Sequence, residues 1–177
     1  MKGETAGEIA ASSEPLPLKW EWVLTIKDHW SLFHLPRFRR FTFNLYIFCN
    51  MSILKTDKAP AAIGPYSQGL DLGNIVLTSG QLPIDPVTGT FSDNIEVQAR
   101  QSLMNVKAVV EAAGLTVADI VKTTVFVKNM DDFGKVNAVY GKFFDEFKAP
   151  YPARSCVEVA RLPKDAGVEI EAIALRK

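Results

Sequence analysis

The chain has 177 residues, 47% of them hydrophobic, with 20 Lys and Arg balanced by 20 Asp and Glu, a globular composition that excludes a wholly disordered or fibrous protein. With no net charge, nothing draws the chain as a whole onto nucleic acid or an anionic membrane. Its two cysteines, Cys49 and Cys156, are too few for a disulfide framework or a thiolate zinc site. No apolar run reaches the roughly 20 residues of a membrane span. Glu4, Glu8 and Glu14 also stand where a signal or transit peptide would be basic, so the cytoplasm is the expected location.

A compositional seam falls near residue 50. Residues 1–50 hold both histidines (His29, His34), all three tryptophans (Trp20, Trp22, Trp30) and five of the eleven phenylalanines. Their apolar residues follow neither a period of 2 nor one of 3.6, so no fold is assigned to them. The segment RFRRFTFNLYIFCNMSIL imitates a signal sequence, but it begins far from the N-terminus and Asn44 and Asn50 interrupt it. Residues 1–50 are therefore expected to be an extension, or the product of an upstream start. Residues 51–177 carry 14 Lys and Arg against 15 Asp and Glu, with no His or Trp, and have the length of one compact domain.

Within that domain, IVLTSGQ (75–81) is a β-rich run that follows the turn residues Gly73 and Asn74. A turn-rich connection over Asp85–Gly89 leads to Ala99, Leu103, Val106, Val110 and Ala113, whose spacing predicts an amphipathic helix stopped by Gly114. IVKTTVFVK (120–128) alternates, with Val121, Thr123, Val125 and Val127 on one face, and reads as a half-buried strand. A second helix is expected from an N-cap at Asp131 through Phe133, Val136, Tyr140, Phe144 and Phe147, ending before Pro150. ARSCVEVA (153–160) and VEIEAIALR (168–176) close the domain as a pair of strands. The expected class is α+β: a β-β-α-β-α-β-β mixed sheet with two helices on one face. The other face is then left for another subunit to cover.

The usual catalytic apparatus is missing from residues 51–177. Without histidine there is no Ser-His or Cys-His pair and no imidazole metal site, and no phosphate-binding glycine loop is present. What remains are ionisable residues on the last two strands: Arg154, Cys156 and Glu158 on one, Glu169 and Glu171 on the other. Arg154 follows Pro152 at a strand start, where its planar fork is able to meet a carboxylate. A solvated strand arginine, a small buried cysteine and the polar side of a hairpin account for the same residues equally well.

Five segments carry a family likeness: APAAIGPYSQG (59–69), LTSGQLP (77–83), QARQSLMNVKAVVEAAGL (98–115), IVKTTVFVKNMDDFGKVNAVY (120–140) and YPARSCVEVARLPKDAGVEIEAIA (151–174). Residues 58–177 resemble the reactive intermediate deaminase (Rid) family of enamine and imine deaminases. The resemblance implies a chorismate-mutase-like fold assembled as a homotrimer, with the sheets forming a central barrel and the sites lying between subunits. It places site residues at Tyr66, Ser79, Gly80, Asn137, Arg154, Cys156 and Glu169.

The resemblance also implies a chemistry. The substrates would be 2-aminoacrylate, 2-aminocrotonate and their imines, released by pyridoxal-phosphate dehydratases and hydrolysed to 2-oxo acids and ammonia with no cofactor or metal. Arg154 would clamp the substrate carboxylate, helped by the Ser79–Gly80 backbone. Glu169 would handle the attacking water, Tyr66 would close the pocket, and Asn137 and Cys156 would line the site. Two rival readings are an RNA-directed translation inhibitor or ribonuclease, which the charge balance and the lack of histidine disfavour, and a non-catalytic ligand sensor or holdase using the same arginine.

Overall fold

The computed structural model describes residues 51–177; the extension expected over residues 1–50 lies outside the described residues. Six strands and two α-helices follow in the order β1 (Ser52–Leu54), β2 (Gly69–Asp71), β3 (Ile75–Thr78), α1 (Ile95–Ala112), β4 (Ile120–Val127), α2 (Phe133–Glu146), β5 (Ala153–Glu158) and β6 (Val168–Leu175). This is the expected α+β architecture with one additional strand before α1. β1 and β2 are only three residues each, too short for alternation to reveal them.

The strands form one sheet in the order β1-β2-β3-β6-β4-β5. All neighbours are antiparallel except β4 and β5, which run parallel. The last two strands therefore do not make the expected hairpin, because β4 lies between them. A parallel pair needs a crossover, and α2 supplies it.

Helix α1 starts at Asn94, whose Oδ1 accepts the Glu96 N–H at 2.8 Å and the Val97 N–H at 3.2 Å. Ala99, Leu103, Val106 and Val110 are all fully buried as the spacing predicts, and Gly114 ends the helix region with a left-handed φ of 74°. The second helix begins slightly later than expected. Asp131 belongs to a 3-10 turn, Met130–Asp132, that Asn129 starts by accepting the Asp131 N–H at 2.9 Å. Its core stripe is Val136, Tyr140, Phe143 and Phe144. The two phenylalanines meet edge to face at 5.3 Å between centroids, each contributing about 1.5–3 kcal/mol by burial.

Strand β4 departs from simple alternation at one point. Ile120 pairs with Ala174 and Lys122 with Ile173, so Val121 is an extra residue in the ladder. This bulge turns Val121 out to 38% exposure and puts Ile120 in the core in its place, while Thr123, Val125 and Val127 stay on the buried face as expected.

Both helices cover that face. On the other lie Ile53, Ile75, Val157, Ile173 and Leu175, all at least 37% exposed.

Close packing between sheet and α1 depends on Gly69. A Cβ there would come within 2.7 Å of both the Leu77 carbonyl oxygen and Val109 Cγ1, and the carbonyl belongs to the paired strand and cannot yield. Gly69→Ala should therefore lower unfolding free energy by about 1–3 kcal/mol, the usual result of overpacking. Urea titration checks this, and an unchanged midpoint would show that the β2–β3 pair shifts without strain.

Candidate active site

The expected site residues fall into two groups. The first lines a cleft of about 690 Å³ walled by Tyr66, Ser79, Gly80, Lys164 and Glu169. The stretch carrying Tyr66 has almost no ladder hydrogen bonds and is held instead by the buried amide of Gln68. Its Nε2 donates to the carbonyls of Thr56 (2.9 Å), Ala59 (3.1 Å) and Pro60 (2.8 Å), and its Oε1 accepts the Thr56 N–H at 2.8 Å. Ser79 Oγ donates to the Ser67 carbonyl at 2.6 Å and Ser79 N–H to the Gln68 carbonyl at 2.9 Å. Ser79 thus ties the end of β3 to the Tyr66 loop, and its N–H is already committed. Tyr66 itself is half exposed, its hydroxyl oxygen accepting the Ile63 N–H at 3.3 Å.

Beyond Thr78 the β3 ladder slips. Leu77 pairs with Ile173, but Gln81 bridges to Ile170, which leaves one extra residue around Ser79 and Gly80. Glu169 lies directly against Gly80, and a Cβ at Gly80 would overlap Glu169 Oε1. Burial pushes the Glu169 carboxyl above the usual range, and the like charge of Glu171, two residues on and on the same face, adds to this.

The second group is on β5 and α2. Arg154 Nη2 donates to Asn137 Oδ1 at 2.8 Å, and Arg154 Cζ stands 4.6 Å from the ring centroid of Tyr140 and 5.6 Å from that of Phe133. Cys156, two residues along on the same face, is partly buried against the core. Burial raises its thiol pKa while the Arg154 charge works the other way, so it is a protonated, unactivated thiol at neutral pH. Glu158 serves the fold by accepting the Met130 N–H at 2.7 Å at the entry to α2.

The sheet keeps the two groups apart. Arg154 pairs with Thr123, which pairs with Ala172; Glu169 pairs with Phe126. Thr123 and Phe126 are three residues apart, so their side chains, and those of their partners, point to opposite faces. Arg154 faces the helices and Glu169 the open side, with Cα atoms on the order of 14 Å apart from strand spacing and rise. One chain therefore holds the expected site residues in two separate groups.

Sequence reading alone missed the roles of Gln68, Tyr140 and Phe133 beside these groups. The spacing of Phe133, Asn137 and Tyr140, four and then three, marks one helical stripe, but only the β4–β5 pairing shows that Arg154 lies beneath it.

The fold is that of a known group of small α+β proteins. The family model described as endoribonuclease L-PSP matches residues 56–176. The 2-iminobutanoate/2-iminopropanoate deaminase of Salmonella typhimurium is 66% identical over 124 residues, which cover 70% of this chain and 97% of the relative. A crystal structure from Vibrio vulnificus described as a putative translation initiation inhibitor is 71% identical with a TM-score of 0.70, covering 71% of this chain and 99% of that one. The structure of Escherichia coli TdcF with bound serine is 59% identical with a TM-score of 0.71, at 71% and 99% coverage. The chain belongs to the endoribonuclease L-PSP family, and the resemblance to reactive intermediate deaminases read from its motifs holds.

Two substitutions test the Glu169 environment. Gly80→Ala should push the carboxylate out of its contact, and Glu171→Gln should remove the neighbouring charge; each should move Glu169 toward the titration of an ordinary glutamate in carboxyl-carbon NMR. Because the folded pKa is raised, the native state holds this proton more tightly than the unfolded chain. The associated stability is full below the unfolded pKa and is lost as pH rises through the folded one. Glu169→Gln should therefore flatten that decline in a pH series of urea midpoints, and an unaltered series would show the carboxyl is not desolvated.

Proposed function

We infer that residues 51–177 form a hydrolytic deaminase of 2-imino acids, the class of substrate named for the Salmonella relative, and that it works as a homotrimer with sites between subunits. The observation that carries the reading is the Arg154 guanidinium. It is backed by an aromatic ring and bonded at one nitrogen to Asn137, which leaves N–H donors to take a carboxylate bidentately. The separation of Arg154 from Glu169 by the sheet supports an intersubunit site, since only a neighbour can supply the missing half. The exposed Ile53, Ile75, Val157, Ile173 and Leu175 supply an apolar face for such an assembly.

In this reaction water adds to the imine carbon, its oxygen forming the new C–O bond while a proton reaches the nitrogen. The carbinolamine then expels ammonia as the C=O bond forms, giving a 2-oxo acid. An imine is already electrophilic, so positioning and proton placement suffice. Arg154 holds the carboxylate and rejects substrates without one. Glu169, its proton affinity raised by burial, takes the proton from water and returns it to the departing nitrogen. Tyr66 closes the cleft, Asn137 fixes the guanidinium, Cys156 lines the pocket, and the Ser79–Gly80 backbone contributes the Gly80 N–H. The supplier of such substrates is a pyridoxal-phosphate dehydratase that eliminates from a hydroxy amino acid. RNA cleavage, after which the family is described, and inhibition of translation, ascribed to the Vibrio relative, gain no support from a domain with 15 acidic against 14 basic residues and no histidine.

Arg154→Ala and Arg154→Lys should both lose most deamination of 2-iminobutanoate, measured as ammonia released beside a threonine dehydratase. Removing one partner of a desolvated charge pair costs about 2–5 kcal/mol, and lysine lacks the planar fork. Retained activity in both would defeat the clamp.

A second experiment tests where the site lies. Chains carrying Arg154→Ala and chains carrying Glu169→Ala, each inactive alone, are co-expressed. In a cyclic trimer that draws the two residues from neighbours, about a quarter of the sites should be intact on random mixing. No recovery in mixed trimers, confirmed by light scattering and mass spectrometry, would defeat the intersubunit site.

A further inference from the structure

Tyr140 is 5% exposed and has no part in the chemistry above, yet it is the nearest ring to the arginine that binds substrate. Its ring centroid lies 4.6 Å from Arg154 Cζ, inside the range over which a guanidinium is attracted to an aromatic face. Its hydroxyl is 2.7 Å from Thr123 Oγ1 in a buried hydrogen bond. Thr123 is the residue paired with Arg154 in the parallel β4–β5 ladder. The connection therefore closes on itself: the Arg154 backbone is registered on Thr123, Thr123 holds the Tyr140 hydroxyl, and the Tyr140 ring lies against the Arg154 side chain.

Two more residues of the same α2 stripe complete the slot. Asn137 Oδ1 accepts from Arg154 Nη2 at 2.8 Å, and Phe133 stands 5.6 Å from Arg154 Cζ. An arginine on an edge strand has a long side chain that samples many rotamers, and each must be given up on binding. A guanidinium held against a ring and bonded at one nitrogen has already given up most of them.

We propose that Tyr140, anchored by Thr123, is a positioning residue for Arg154: its ring sets the plane of the guanidinium so that the bidentate edge is turned to the substrate carboxylate. This rests on the reading of Arg154 as the carboxylate clamp. The competing role is purely structural. Tyr140 also packs against Phe144 at 4.8 Å between centroids, and a residue that only fills the core would alter stability without altering affinity in the folded protein.

The experiment uses the full chain, with KM and kcat for 2-iminobutanoate and the Kd of 2-oxobutanoate by calorimetry. Tyr140→Phe keeps the ring, and Tyr140→Met keeps volume and adaptability without a π face. Tyr140→Met should raise KM and Kd about tenfold with kcat changed less than about threefold, because the clamp acts on ground state and transition state alike. Tyr140→Phe, which keeps the ring but loses the Thr123 anchor, should raise both constants about threefold, less than Tyr140→Met does.

Unchanged KM and Kd in a folded Tyr140→Met trimer overturns the proposal, as does a Tyr140→Phe as damaging as Tyr140→Met. If Tyr140→Met does not fold, Phe133→Leu decides, because Phe133 is 39% exposed and outside the core. A raised Kd there supports the aromatic slot, and an unchanged one overturns it. Binding of 2-oxobutanoate that depends on Arg154 but without turnover would sink the deaminase reading while the Kd comparison still tests Tyr140. Absence of both turnover and Arg154-dependent binding removes the clamp and the positioning role with it.

Discussion

The pairing of β4 with β5 in parallel is the constraint on which the rest of the molecule depends. Two parallel neighbours cannot be joined by a tight turn, so the chain must cross over the sheet between them, and α2 is that crossing. The crossing puts one stripe of α2 over the edge strand. Phe133, Asn137 and Tyr140 thereby meet Arg154, which on an open edge would be an ordinary solvated arginine. The same insertion of β4 separates β5 from β6 and, through the pleat, sets Arg154 and Glu169 on opposite faces. The arginine slot and the carboxylate cleft are both consequences of where one strand was placed.

The cleft is assembled differently, from irregular segments that make few ladder hydrogen bonds. Three buried primary amides take over that task. Gln68 gathers the chain around Thr56, Ala59 and Pro60. Asn105 on α1 donates to the Leu82 and Ile84 carbonyls at 2.9 and 2.8 Å. Gln98, also on α1, donates to the Ser92 carbonyl at 2.8 Å and accepts the Gly167 N–H at 2.7 Å. A primary amide offers two donors and an acceptor at a single point, so one side chain can satisfy backbone groups from several turns at once. Buried polar groups are tolerated only when so satisfied, and this is why apolar substitutes at these three positions would loosen the walls of the cleft and not only the core beneath.

The strongly periodic elements were legible in the sequence. The helix through Ala99, Leu103, Val106 and Val110 and the alternation of Thr123, Val125 and Val127 follow from local pattern, because each buries one face. What escaped depends on partners distant in sequence. β1 and β2 are too short to show a period. The bulge at Val121 is set by its pairing with β6, and the order of the last three strands by a crossover whose destination no local signal states. The candidate site was legible in part: Arg154 and Glu169 stood out among the ionisable residues of the last two strands and the resemblance gave them roles, while their separation by the sheet is a property of topology. Tyr140 was read correctly as a core residue of a helix, but its second contact, with Arg154, needed the parallel register.

The two groups differ in what they offer a ligand. Arg154 offers a planar fork of N–H donors in a slot made of two rings and one amide. On the other face, burial and the Glu171 charge raise the proton affinity of Glu169, which suits it to the proton-transfer role proposed for it. Keeping these on opposite faces of one sheet prevents them from forming an ion pair within a chain. Such a pair would neutralise the guanidinium and pull the carboxyl pKa down, the wrong direction for the proton return proposed for Glu169. In the proposed assembly they meet only across a subunit boundary with the substrate between them. There the substrate carboxylate, not Glu169, is the anion that the guanidinium receives.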